Sequence, residues 1–361
     1  MRRWHANATR ARAWTRQRLL GLLAATTGCA LMMAPLGGGG QGWPGSRGTV
    51  WVTNQTLNTV AAYDARSGAL LRTLSVGAKP IGVVAPPGTR KVYVANESDD
   101  TVSVIDERSG ATSTIKVGDG PHHMVNSTGG RFVYFGEFNA NTVGVIDTRT
   151  DSYRHFVASA SPTAKTHAVW IGRNGRTVYA VNSEADTFTA LDAATGRPRW
   201  FDVPVGDQPS EVLVTRNGRT AYISIRGEDK IGVFDLAGGS PRKVAEVAVG
   251  DQPDTLQLTP DGRTLVVALR GSFASPSGVA ARVELIDTRR LRLRSVWIAG
   301  ATTTGHQWLS SDGRRTFVAI ESAGSSPPPG VAVIDNHRAK VVATWAYPGG
   351  GRPHGVYFER R

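Results

Sequence analysis

Short apolar runs separated by turn residues recur along this chain, and the same punctuation mark closes one run in each unit: an apolar residue, then Asp, then a turn. It falls at Tyr63-Asp64, Ile105-Asp106, Ile146-Asp147, Leu191-Asp192, Phe234-Asp235, Ile286-Asp287 and Ile334-Asp335. The spacing is 41 to 52 residues, the period of a repeat architecture whose units are too small to bury an apolar face alone. Residues 205–247 show the content of one unit. Val205-Gly206-Asp207-Gln208-Pro209 turns the chain and Glu211–Thr215 is a first strand (A). The Asn217-Gly218 pair makes a hairpin turn, Thr220–Ile225 is a second strand (B), Lys230–Phe234 a third (C) and Lys243–Val247 the outermost (D). Asn or Asp before Gly marks the same hairpin at 174–175, 261–262 and 312–313. No segment of the repeats has a helical period. Four strands in each of seven units predict an all-β fold, a seven-bladed β-propeller.

The ends predict how the ring closes. Residues 49–54 read as a strand B and residues 355–358 as a strand A, so the C-terminal strand completes the first blade and removes an exposed edge. The seven aspartates are expected to cap their own turns rather than act chemically.

The repeats occupy residues 49–361, and the N-terminus is different. Six arginines between Arg2 and Arg18 precede an apolar run from Leu19 to Ala34, the arrangement of a signal peptide or an N-terminal membrane anchor over residues 1–36. Residues 37–48 read as a Gly-rich linker. The expectation is export to the periplasm, the cell surface or the medium, with Cys29 a candidate for lipidation and contact with a membrane only through this segment. The formal net charge of +13 falls to +7 without residues 1–34, which carry six arginines and no carboxylate. Cys29 is the only cysteine, so the repeats carry no disulfide and no thiolate metal ligand. The charge does not demand nucleic acid: Arg290, Arg292 and Arg294 on an outer strand are expected to block edge-to-edge pairing. A monomer is expected.

The repeats resemble the YVTN-repeat, or YncE-like, family of extracytoplasmic β-propellers. Val50-Trp51-Val52-Thr53-Asn54, Val92-Tyr93-Val94-Ala95-Asn96 and Val178-Tyr179-Ala180-Val181-Asn182 carry the likeness, with the Val-Gly-Asp-Gln-Pro turns at 205 and 249. The resemblance implies the fold; related propellers serve as binding modules, surface proteins and metal or haem scaffolds.

Chemistry is expected where strand A begins and strand B ends, on one face at the mouth of the central channel. Aligned around the ring, the first positions of strand A are His354, Ile81, His122, His167, Ser210, Asp254 and Gly305. The second are Gly355, Gly82, His123, Ala168, Glu211, Thr255 and His306. Five of the eight histidines fall in these two columns. Strand B exits supply Asn54, Asn96, Glu97, Glu137, Asn182, Arg226, Arg270 and Glu321 to the same face, beside the two longest insertions, 271–281 and 322–330.

Three functions follow from this face. The first is non-enzymatic binding of a protein partner or small ligand, with Asn96, Glu97, Glu137, Asn182, Glu211, Arg226, Asp254, Arg270 and Glu321 as contacts and the arginines suited to an anion. The second is a transition-metal site of the copper or zinc type on His122, His123, His167, His306 and His354. The third is a lactonase-type hydrolase pairing a histidine with Glu137, Glu211 or Glu321. A histidine at the head of strand A also suits a structural clamp to the next blade. Because successive residues of a strand point to opposite faces, the two columns converge only if the backbone bends.

Overall fold

The computed structural model describes residues 47–271, 281–323 and 328–360. The segment read as a signal or anchor, Cys29, nearly all of the linker, most of the 271–281 insertion and residues 324–327 of the 322–330 insertion lie outside the described residues. Among the described residues, no helix is long and apolar enough to cross a membrane.

The described residues form seven four-stranded antiparallel sheets, each ordered A to D from the inside outward. Six blades are continuous in sequence. The first joins the C-terminal strand Pro353–Arg360 to Gly48–Asn54, pairing Trp51 with Tyr357 and Val50 with Phe358. Trp51 is buried, and its indole N–H donates to Glu359 across this seam at 3.0 Å. The ring thus closes as its ends predict. The turn-capping role of the aspartates is also visible: Asp106 Oδ1 accepts from the Ser109 and Arg108 amides at 2.7 and 3.1 Å, and Asp64, Asp192 and Asp287 make the same pair of bonds.

One irregularity recurs in all seven blades and matters most for the site. At the head of each inner strand the register to strand B slips by one residue. In blade 3, Pro121 faces Glu137 and Met124 faces Phe135, so His122 and His123 together oppose Gly136 alone. The slip falls around Ile81 and Gly82, at His167, at Ser210, around Asp254 and Thr255, around Gly305 and His306, and around His354 and Gly355. This is a β-bulge, which bends the strand and re-aims its side chains.

Close packing of neighbouring bulges requires small residues. A Cβ on Gly355 would run into the Ile81 carbonyl oxygen, and one on Gly82 into that of His122. Gly355→Val is therefore expected to cost roughly 1–3 kcal/mol, as overpacking does. A urea midpoint equal to that of the native chain would show that the inner strands have room there.

Candidate metal centre

The bulges bring all five histidines of the two columns into one buried cluster. Ring centroids are 4.5 Å apart for His122 and His167, 4.9 Å for His123 and His167, and 5.2 Å for His122 and His123. The chain of contacts continues from His123 to His306 at 3.9 Å and from His306 to His354 at 4.2 Å. None of the five is more than 9% exposed. The convergence that a regular strand would forbid is thus produced by one extra residue per blade.

Their hydrogen bonds leave a particular set of lone pairs. His167 Nδ1 lies 2.6 Å from the Ser210 carbonyl oxygen, which can only accept, so Nδ1 carries the proton and Nε2 is bare. His354 Nδ1 is bonded to Glu321, whose other oxygen receives the Arg352 guanidinium at 2.8 and 3.1 Å. His123 Nδ1 meets Glu211 at 2.9 Å, across the channel from blade 3 to blade 5, while its Nε2 is buried without a partner. His122 Nδ1 and His306 Nε2 are likewise buried with no hydrogen bond among the described residues. A carboxylate or carbonyl on one ring nitrogen with the other left free is the usual setting of a metal-ligating imidazole.

Electrostatics reinforce neutrality. Burial, then the neighbouring His167, His123 and His354, then Arg270, hold the His122 pKa well below the ordinary range. Burial does the same to His306, with the other histidines adding to it, and to His167, with Arg226 next. Burial also lowers His354 against the opposing pull of Glu321. Neutral imidazole is the form that binds a metal. His122, His123 and His167 each offer a nitrogen within 4.8 Å of the others. Around an ion with bonds near 2.0–2.1 Å, tetrahedral ligand nitrogens stand about 3.4 Å apart, a distance that ring rotations of about an ångström would reach.

The cluster lies between two spaces. Above it a mouth of about 210 Å³ is lined by His122, His167, His354, Phe138 and the cations Lys79, Arg226, Arg270 and Arg352. Phe138 stacks on His122 at 5.4 Å. Below it a water-sized cavity of about 30 Å³ is bounded by His123, His306, Glu211, Thr255 and Gln307. The Thr255 hydroxyl and the Gln307 side-chain oxygen are also buried there without a partner.

The predicted contact residues divide. Glu97, Arg226 and Arg270 line the mouth, Asp254 pairs with Arg226 at its edge, and Glu211 and Glu321 sit behind the histidines. Asn96, Glu137 and Asn182, expected on the same face, are not among the residues that line the mouth. The Asn96 amide donates to Thr101 and Ser103 in its own blade, and Asn182 is bonded to Thr166, Thr187 and the Ala158 carbonyl. Glu137 is held by Thr142, Tyr153 and the Gly118 amide. Their side chains are spent tying strand B to its own blade and to the turn from the blade before. Sequence reasoning missed Lys79, Arg352 and Phe138. Lys79 and Arg352 each precede the proline that opens an inner strand, so one further aligned column would have found both.

A family model described as YNCE-like β-propeller matches residues 9–359. The chain belongs to that family. No curated protein matches it. Among solved structures, this YNCE-like propeller is similar to Kuenenia stuttgartiensis hydrazine synthase at 20% identity and a TM-score of 0.67, over 80% of this chain and 93% of that one. It is also similar to the Pseudomonas aeruginosa periplasmic gluconolactonase PpgL at 22% identity and a TM-score of 0.64, over 86% and 99%. A third likeness is to the dihydro-heme d1 dehydrogenase NirN, at 15% identity and a TM-score of 0.63, over 86% and 75%. At such identities the likeness is one of fold.

Proposed function

We propose that this YNCE-like propeller is an exported metal-binding protein that holds a transition-metal ion of the copper or zinc type on the histidine cluster of its channel. The observation that carries the reading is the buried convergence of five histidines, of which His122, His123 and His306 each keep a nitrogen without a partner. A buried polar atom without a partner is costly, and several around one point call for a shared ligand. Imidazole-rich sets suit copper, zinc, iron and nickel. Export is supported by the arginine-rich start and the apolar run that follows it.

The carboxylates favour this reading over acid–base hydrolysis. Glu137 is occupied by Thr142 and Tyr153 in its own blade and by the Gly118 amide of the preceding turn, and Glu211 and Glu321 each hold a histidine Nδ1. They are placed to orient ligands.

Metal analysis of the full chain tests the proposal. After loading with copper(II) or zinc(II) and gel filtration, at least one ion should stay with each chain, and His123→Ala or His167→Ala should lose it. A native chain that retains neither metal rejects the reading. Glu211→Gln should keep the fold and weaken metal binding by about 10–100-fold, the usual cost of removing a carboxylate behind a ligating histidine. Unchanged affinity would make Glu211 a packing residue only.

A further inference from the structure

The mouth above the histidines contains donors with nothing to bind. Arg270, just beyond the strand Thr264–Leu269, is held by its backbone N–H to the Gln252 carbonyl, and its guanidinium has no hydrogen bond or ion pair among the described residues, yet its charge is felt by His122, His354, Asp254 and Glu321. Arg226 is paired with Asp254 through one terminal nitrogen, and its Nε is buried without a partner. The carboxylates nearby are already committed. Glu321 serves Arg352 and His354, and Glu97 is paired with Lys79 at 2.9 Å. Glu184 lies at the exposed rim.

We propose that this mouth binds a small carboxylate or oxoanion, held by Arg270 and the Arg226 Nε, with an oxygen turned toward the histidine cluster. This deepens the metal-site proposal and rests on it for the ion below. Asp254 neutralises Arg226 alone, so the guanidinium of Arg270 facing a metal cation would leave like charges opposed. A bridging anion resolves this, because one oxygen accepts from guanidinium while another completes the coordination of the ion. The mouth, at about 210 Å³, suits an anion of a few heavy atoms rather than a drug-sized ligand. Phe138 walls one side of it and limits the approach of water.

Oxalate is the probe. The full chain, loaded with cobalt(II), is titrated with oxalate in a chloride-free buffer and followed by its visible spectrum and by calorimetry. Native protein should bind oxalate with a change in the cobalt bands. Arg270→Gln should bind it at least tenfold more weakly at unchanged cobalt content, and Arg270→Lys should recover part of the loss. Arg216→Gln, at the opposite end of the inner strands, should bind as the native chain does and so exclude a general charge effect. A cobalt-loaded chain whose spectrum ignores oxalate, or an Arg270→Gln chain that binds as tightly as the native one, overturns the anion site and leaves the metal site standing. If no cobalt is retained the metal reading fails by itself. Calorimetry on the metal-free chain then decides: Arg270-dependent heat supports an anion-binding mouth, and absence of heat overturns it.

Discussion

Deleting residues 353–361 is expected to abolish cooperative folding of the whole ring, far beyond the loss of one strand. That strand is the inner strand of the first blade, and its removal leaves Gly48–Asn54 as an unpaired edge facing the channel. It also removes Val356, Tyr357 and Phe358, all buried, and with them the burial they contribute to the core. At about 1.5–3 kcal/mol for each large apolar side chain, these three alone account for roughly 5–9 kcal/mol, comparable to the entire stability of a typical domain. His354→Ala keeps the strand and should keep the fold. Circular dichroism melts of the two variants separate ring closure from the site. A truncated chain that melts like the native one would show that the closing strand contributes little.

The metal-free protein should lose stability steeply as pH falls below about 6.5. Burial keeps His122, His167, His306 and His354 neutral in the fold, with folded pKa values below the unfolded one. The unfolded chain therefore takes up more protons over this range, and stability rises with pH. The contribution is complete above the unfolded histidine pKa near 6.5 and is lost as pH falls toward the folded values. Each histidine contributes up to about 1.4 kcal/mol per pH unit, so four make the native state fail within a unit or two. Glu211 opposes the trend by at most one proton, since burial, against the pull of His123, raises its pKa. Urea midpoints in chelator between pH 8 and pH 5 measure the slope. A flat profile would mean that the histidines are hydrated or already charged in the folded chain.

The blade count and the closure were legible in the sequence because both follow from period. Seven apolar-Asp turns set the number of blades, and a strand B at one end with a strand A at the other leaves one way to finish the ring. The histidine columns were legible for the same reason. What the sequence could not show was the bulge: strand alternation sends His122 and His123 to opposite faces, and only a register slip opposite Gly136 turns both inward. Nothing in the local residues announces that slip, because it arises where the bulges of neighbouring inner strands press together around the axis. The asparagines mislead for a related reason. Asn54, Asn96 and Asn182 end a strand B beside the mouth, but a short amide at a turn finds backbone and hydroxyl partners first. Arg352 and Lys79 reach the mouth from the turns before an inner strand, one residue outside the columns that were aligned.

The most direct measurement is anomalous diffraction from crystals of the metal-loaded chain, collected on both sides of the metal absorption edge. A peak among His122, His123 and His167, or between His123 and His306, is the predicted result. A map with no peak inside the channel, or with metal only on surface histidines such as His155, would contradict the account at its root.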